Sequence, residues 1–261
     1  MTAATAVHPA AFVDPRAQLG AGVVIEPGAV IGPDVRIGDG TRVGSHALVT
    51  GWTTVGAGCR LHHGAVLGSP PQDLKYGGAE PSYLEVGDRT EIREYATLNL
   101  ATEPGATTRV GSDCLLMAYS HIAHNCHLGN RVIVANAVQF AGYVTVEDWA
   151  IVGGGTVVHQ FARIGCHAMI GGGTRISQDV APYIKLGGSP PRLAGVNSVG
   201  LERRGVAPAV REALERAYRL LFRGGRSTAD AIVAMRAAYP DIAEVEHLAR
   251  FAETSTRGLT R

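Results

Sequence analysis

From Val7 onward an aliphatic side chain returns at every sixth position. Val13, Leu19, Ile25, Ile31, Ile37, Val43, Val49, Val55, Leu61 and Leu67 follow one another without a slip. The phase breaks, resumes at Val86, Ile92 and Leu98, and breaks again. It then runs from Val110 through Leu116, Ile122, Leu128, Val134, Phe140, Val146, Val152, Val158, Ile164 and Ile170 to Ile176, all aliphatic except Phe140. The next position is often glycine (Gly20, Gly32, Gly38, Gly129, Gly171), and the fourth after the aliphatic is usually small (Ala11, Ala29, Cys59, Ala65, Cys126). A six-residue period is not the 3.6 of an amphipathic helix. It predicts a coil of three short flat strands, about 18 residues per coil, stacked at ~4.8 Å. The aliphatic residue points into a narrow core and the small one lies near the corner. Roughly 26 such units make a prism about 40 Å long at that spacing.

The two breaks predict insertions near residues 69–85 and 99–109. If each lies inside one hexapeptide, Leu67, Leu98, Ile122, Phe140 and Val158 open the same face on nearby coils. Both insertions then leave the prism at the face or corner that carries His124. One coil further on stands Gly142, and one further still Gln160. A glycine beside the histidine leaves room and an accessible backbone N–H. Loops on a rigid scaffold that converge on one histidine make a plausible site; the plainer alternative is a solvated surface histidine.

After Ile176 the repeat fades through Ala181-Pro182 and Gly187-Gly188-Ser189-Pro190-Pro191. Helical spacing follows. Val210, Leu214, Ala217, Tyr218 and Leu221 form one apolar stripe, with Pro208 suited to a first turn. Ser227 or Thr228 can cap a second helix through Ile232 and Met235, and a third follows Pro240 through Val245, Leu248 and Phe251. The reading divides the chain into a β-helix over 1–188 and a helical domain over 189–261. Arg203-Arg204 opens the latter; two adjacent cations can hold phosphates or simply mark a solvated helix end.

Composition supports a repetitive β structure: 34 glycines and only 6% aromatics in 261 residues, 46% of them hydrophobic. A net charge of +1 with no basic run argues against nucleic acid or an anionic membrane as the main partner. The first ten residues carry neither a basic start nor an apolar stretch, and no apolar run reaches the ~18 residues of a spanning helix. The expectation is a cytoplasmic protein. Cys59, Cys114 and Cys126 fall on the small-residue position and read as buried fillers. His121, His124 and His127 look like a metal cluster, but His121 and His127 sit at equivalent places on adjacent faces and point about 120° apart. No metal is expected, a site shared between subunits being the alternative.

The hexapeptide pattern resembles the left-handed parallel β-helix of the hexapeptide-repeat transferases; handedness comes from the resemblance alone. Beyond the repeats, further motifs run along nearly the whole chain. They are Gln72-Asp73-Leu74-Lys75-Tyr76, Val110-Gly111-Ser112-Asp113, His121-Ile122-Ala123-His124, Gly129-Asn130-Arg131 and Val158-His159-Gln160-Phe161. Gln178-Asp179-Val180, Gly195-Val196-Asn197, Gly200 to Gly205 and the tail Ser255 to Leu259 complete them. Together they resemble the acyl-carrier-protein–UDP-N-acetylglucosamine O-acyltransferase family, which opens lipid A biosynthesis.

That resemblance implies a homotrimer with sites between neighbouring prisms. It implies transfer of a 3-hydroxyacyl group from acyl carrier protein to the glucosamine 3-hydroxyl, with no cofactor beyond the carrier's phosphopantetheine. His124 matches the general base and the Gly142 N–H the oxyanion donor. Asp73, Lys75, His121, His159 and Gln160 match contacts to sugar and acyl donor. Asn197, Arg203 and Arg204 match positions near the nucleotide or the carrier protein, and Gly172 a position that limits acyl length. The chain departs from the family's pattern at Asn125, where an aspartate often follows the base; an amide can orient the ring but adds no charge. It departs also at Asn99 and Tyr143, where histidines are common, and at Val199, where a glutamate is. A related enzyme acting on a 3-amino or other nucleotide sugar, or using acyl-CoA, is the alternative these departures leave open. A catalytically idle β-helical scaffold is the alternative outside enzymes.

Overall fold

A computed structural model describes residues 4–78 and 80–261. Short parallel strands wind into three sheets, the faces of a triangular prism. Face 1 climbs from Ala6–Val7 through Val24–Ile25 to Met169–Ile170, face 2 from Phe12–Val13 through Val30–Ile31 to Arg175–Ile176, and face 3 from Gln18–Leu19 through Arg36–Ile37 to Arg163–Ile164. In nearly every strand the apolar residue of the repeat faces inward. Ile25, Ile31, Leu61, Leu67, Ile92, Leu98, Leu116, Ile122, Phe140 and Ile164 are all at or below 2% exposure. Cys59, Cys114 and Cys126 are buried at the corners, as their place in the repeat predicts. Burial pushes the Cys114 thiol up to about 11 and that of Cys126 to about 12.

The insertions are where the phase broke. Ordinary coils advance 18 residues, as from Ile122 to Phe140. Leu67 instead pairs with Leu98 and Leu98 with Ile122. Both insertions leave the corner between faces 2 and 3. They are shorter than the phase alone suggests, because the strands grow into them: Val66–Ser69 and Tyr83–Val86 flank the first loop, Thr97–Asn99 and Thr107–Val110 the second. Gly68 makes the first exit with φ +80°, and a Cβ there would meet the Thr50 carbonyl at 1.9 Å.

The corners hold a feature the small-residue pattern does not show. The third residue after the repeat's inward residue takes a left-handed conformation at most coils, and at many of them it is not glycine. Tyr119, Asn125, Tyr143, Trp149, Phe161 and His167 have φ from 55° to 64°. Such a conformation costs roughly 1–2 kcal/mol outside glycine. Here the N–H of each turn is tied to the coil below: Tyr143 N–H to the His124 carbonyl at 3.0 Å and Trp149 N–H to that of Asn130 at 3.0 Å. The side chains stack up the edges, as Tyr143 does on Phe161 at 4.7 Å.

The division at residue 188 falls inside an antiparallel hairpin, Ile184–Gly187 with Arg192–Val196, that continues face 1. Four helices follow rather than three: α1 (Ser198–Arg203), α2 (Pro208–Phe222), α3 (Thr228–Ala238) and α4 (Ala243–Glu253). The first has only six residues and buries only Leu201, so it leaves no apolar stripe in the sequence. Ser227 caps α3 by accepting from the Asp230 N–H, and Pro208 opens α2. The tail returns to the prism, with the Thr260 N–H on the Asp179 carbonyl at 2.8 Å. Among the described residues no helix is long and apolar enough to cross a membrane.

Candidate active site

His124 follows the face 2 strand His121–Ile122 and lies on the corner from which both loops emerge. Its side chain is 12% exposed. One coil on, Gly142 lies directly against the ring: a Cβ there would come within 2.4 Å of His124 Cε1 and 2.6 Å of Nε2. Gly142 is therefore required by close approach, not by its backbone angles. Among the described residues its N–H is also left open, as are those of His124 and Gln160 on the same corner. At the corner between faces 3 and 1, the equivalent N–H groups of Ala21, Ala57 and Asn130 are each taken by an aspartate of the next coil, Asp39, Asp88 and Asp148, at 2.8 Å. The next coil above Gly142 offers Gln160, and among the described residues nothing bonds the Gly142 N–H.

The first loop brings Asp73 to the ring as well, its Oδ2 3.9 Å from His124 Nε2. The loop holds this pose locally, since the Lys75 N–H donates to Asp73 Oδ1 at 2.9 Å and the Tyr76 N–H to the Asp73 carbonyl at 3.0 Å. Lys75 itself is exposed. Asn99 is 4% exposed and anchors the loop root by donating to the Ser69 and Pro70 carbonyls at 3.3 and 3.1 Å.

The second loop packs on the far side of His124. Asn125 Oδ1 lies 3.0 Å from His124 Nδ1 and accepts from the Thr102 N–H at 3.0 Å. Asn125 Nδ2 donates to Glu103 Oε2 at 2.7 Å, and the Tyr143 hydroxyl donates to Glu103 Oε1. Those bonds, Tyr143's first, hold the Glu103 carboxyl below the usual range and push the Tyr143 phenol up to about 12. The Tyr143 ring meets His124 edge-on at 5.3 Å. Neither Glu103 nor Thr102 is singled out by the repeat, because they sit in the one stretch where the repeat is interrupted.

Other residues singled out from the sequence divide between edges. His121 is on face 2 beside His124; it bonds Thr97 Oγ1 at 2.7 Å, and burial together with His124 pushes its titration down. His127 is on face 3, bonded to the Thr107 carbonyl at 3.1 Å. His159 and Gln160 are exposed two coils along the His124 corner. Asn197, Arg203 and Arg204 are at another edge. Asn197 caps α1 and donates to the His167 carbonyl at 3.0 Å. Arg204 donates to His167 Nδ1 at 3.1 Å and lies over Trp149 at 4.8 Å, while Arg203 is exposed. Burial and the Arg204 charge push His167 down to about 4. Gly172 turns the corner between faces 1 and 2, where a Cβ would meet the Gly154 carbonyl at 3.0 Å.

Among the described residues one group of His, Cys and acidic side chains is close enough to share a metal: Glu147, Cys166 and His247, with ligating atoms within 4.8 Å. It lies between the prism and α4. Both His247 nitrogens are already engaged, Nε2 by Glu147 at 3.0 Å and Nδ1 by the Tyr183 hydroxyl at 3.0 Å. The group therefore docks the helical domain on the prism.

Comparison with known proteins agrees with this architecture. Residues 16–51 and 107–142 match the family described as bacterial transferase hexapeptide (six repeats). Residues 179–260 match that described as UDP N-acetylglucosamine O-acyltransferase, domain 2. The acyl-[acyl-carrier-protein]–UDP-N-acetylglucosamine O-acyltransferase of Alkalilimnicola ehrlichii is 47% identical over 258 residues, covering 98% of this chain and 100% of that protein. The enzyme of the same name from a Janthinobacterium is 45% identical, covering 98% and 99%. Among solved structures, the UDP-N-acetylglucosamine acyltransferase of Bacteroides fragilis superposes with a TM-score of 0.93 at 38% identity, over 97% of this chain and 99% of that one. LpxA from Acinetobacter baumannii gives 0.94 at 38% identity, over 98% and 99%. With identity and architecture both matched from end to end, the chain belongs to the acyl-[acyl-carrier-protein]–UDP-N-acetylglucosamine O-acyltransferase family.

Proposed function

We propose that this chain transfers a 3-hydroxyacyl group from acyl carrier protein to the 3-hydroxyl of UDP-N-acetylglucosamine, the first step of lipid A biosynthesis, with His124 as general base. One observation carries the mechanism: the His124 ring meets both the Asp73 carboxylate, 3.9 Å from Nε2, and a glycine whose N–H has no partner among the described residues. The sugar hydroxyl approaches Nε2 and is oriented by Asp73. Neutral imidazole takes its proton as the oxygen attacks the thioester carbonyl. Negative charge develops on the carbonyl oxygen, where the Gly142 N–H is free to donate. The tetrahedral adduct then expels the phosphopantetheine thiolate, which takes the proton from the imidazolium.

His121, Lys75, His159 and Gln160 serve as contacts along the same edge. Asn197, Arg203, Arg204 and Gly172 belong to other edges of the prism. They can join His124 only across a boundary between copies, which favours a homotrimer with shared sites. In that arrangement the arginines take the nucleotide phosphates or the acidic carrier, and bare Gly172 leaves the acyl groove deep.

Two of the four departures from the family pattern have a local explanation. Asn99 is withdrawn from the acceptor side and anchors the first loop. Tyr143 is held by Glu103. The test is product analysis by mass spectrometry, offering 3-hydroxyacyl carrier protein with UDP-N-acetylglucosamine, with its 3-amino analogue, and with acyl-CoA as alternative donor. Ester formation on UDP-N-acetylglucosamine from the carrier is expected. Turnover only with the amine or only with acyl-CoA overturns the reading.

A further inference from the structure

The carboxylate of Glu103 stands at the end of a chain of hydrogen bonds that begins on the proposed base. Its two oxygens are held from opposite sides, by Asn125 Nδ2 at 2.7 Å and by the Tyr143 hydroxyl. Because the carboxylate only accepts, it fixes which way the Asn125 amide faces. The NH2 must point to Glu103, so Oδ1 points the other way. There it accepts from the Thr102 N–H at 3.0 Å and stands 3.0 Å from His124 Nδ1. An amide oxygen cannot donate, so Nδ1 must carry the ring hydrogen. Nε2 is then bare, and it is the nitrogen turned toward Asp73 and Gly142. The backbone of Asn125 is pinned as well, with φ +58° and its N–H on Thr108 Oγ1 at 2.8 Å.

We propose that Glu103 is the positioning residue of the base. Held by Tyr143, it locks the Asn125 amide so that His124 keeps its proton on Nδ1 and offers Nε2, and it places a negative charge two hydrogen bonds from the imidazolium that forms during transfer. This rests on the reading of His124 as base. The charge that Asn125 cannot supply comes from the second loop. No proton crosses the amide: Nε2 takes the sugar proton and passes it to the leaving thiolate, while Nδ1 keeps its own.

Other groups facing His124 are Asp73 from the first loop, His121 from the same face, and the Tyr143 hydroxyl from the next coil. Asp73 lies on the Nε2 side, where a carboxylate favours a ring hydrogen, but at 3.9 Å it is beyond hydrogen-bond reach, so the 3.0 Å contact at Nδ1 decides the tautomer. His121 opposes a second positive charge. Hydrogen bonds from Tyr143 and Asn125, with a smaller pull from His124, keep Glu103 ionised well into acid. Glu103 is exposed, so solvent screens its field and the electrostatic effect is moderate.

Glu103→Gln retains the shape and a bond to Asn125 but removes the charge. It is expected to lower kcat about tenfold with the KM for UDP-N-acetylglucosamine within about twofold, and to move the acidic limb of the kcat/KM profile down by about half a pH unit, since a lost anion no longer favours imidazolium. Glu103→Ala also releases the amide and is expected to lower kcat about a hundredfold. Asn125→Asp combined with Glu103→Gln puts a carboxylate directly on Nδ1; it should restore kcat to within about threefold of the parent and return the limb. Unfolding midpoints are measured beside each variant. An unshifted acidic limb in Glu103→Gln, with or without a change in midpoint, assigns the residue to loop packing alone and overturns the proposal. So does a double variant no faster than Glu103→Gln. His124→Ala is run in parallel: if it turns over normally the base assignment itself falls, whereas an inactive His124→Ala beside an unaffected Glu103→Gln removes only the role of Glu103.

Discussion

Gly142→Ala tests how closely the site is fitted. The added methyl would stand 2.4 Å from His124 Cε1, 2.6 Å from Nε2 and 3.0 Å from Nδ1. Carbon atoms in contact sit about 3.5–4.0 Å apart. One of the two must therefore retreat by about 1 Å. The coil backbone is held by its neighbours, with the Ala141 N–H on the Val158 carbonyl at 3.0 Å and the Phe161 N–H on the Gly142 carbonyl at 3.2 Å, so the ring is what moves. A displacement of that size in a reacting group costs about a hundredfold in rate, or roughly 2.7 kcal/mol of transition-state stabilisation. Gly142 does not have a left-handed φ, so alanine introduces no backbone strain of its own. The fold should lose at most about 1 kcal/mol. The assay is steady-state transfer to UDP-N-acetylglucosamine at saturating acyl donor, read as kcat and KM separately, with the unfolding midpoint as control. A loss confined mostly to kcat with the midpoint nearly unchanged is expected. Activity within about threefold of the parent would refute the reasoning, since it would mean that neither the ring position nor the N–H beside it matters.

Two further variants probe the supports of the site. Asn99→Ala removes the bonds to the Ser69 and Pro70 carbonyls. It is expected to cost about 1–2 kcal/mol and to raise the acceptor KM as Asp73 loses its place; limited proteolysis should then cut within 70–78, and an uncut loop would show that it is held elsewhere. His167 concerns stability. Its folded titration is pushed down to about 4 from an ordinary 6.5, so between those values the unfolded chain binds the proton more readily. Stability from this group is therefore present above about pH 6.5 and lost as pH falls toward 4. His167→Phe keeps the ring stacked between Trp149 and Tyr183 but has no proton to bind, so its unfolding midpoint should fall less between about pH 7 and pH 4.5 than the parent's. Equal slopes would assign the acid sensitivity to other groups.

The scaffold was legible because the core of a triangular coil is narrow. Only an apolar side chain fits at Ile122, at Phe140 one coil above it or at Ile164, so the constraint is written into the sequence every six residues. The same count of residues places Gly142 and Gln160 above His124, since neighbouring coils stack in register. What the repeat does not encode is whatever depends on its interruptions or on its corners. Glu103 lies in an insertion, and its partners Asn125 and Tyr143 are related to it only through space. Left-handed turns at Tyr143 and Trp149 are invisible because hydrogen bonds between coils, not residue preference, hold them. Arg204 and Asn197 show the remaining gap: the motifs that contain them are clear, but within one chain they pack on the His167 edge instead of the His124 corner.

The central claim is that His124 takes the acceptor's proton, and it is tested most directly by kcat for His124→Ala and His124→Gln on UDP-N-acetylglucosamine with 3-hydroxyacyl carrier protein. A loss of about a hundredfold to ten-thousandfold in both, with nucleotide sugar still bound as judged by thermal shift, is the expected result. Near-parental turnover in either variant would contradict it.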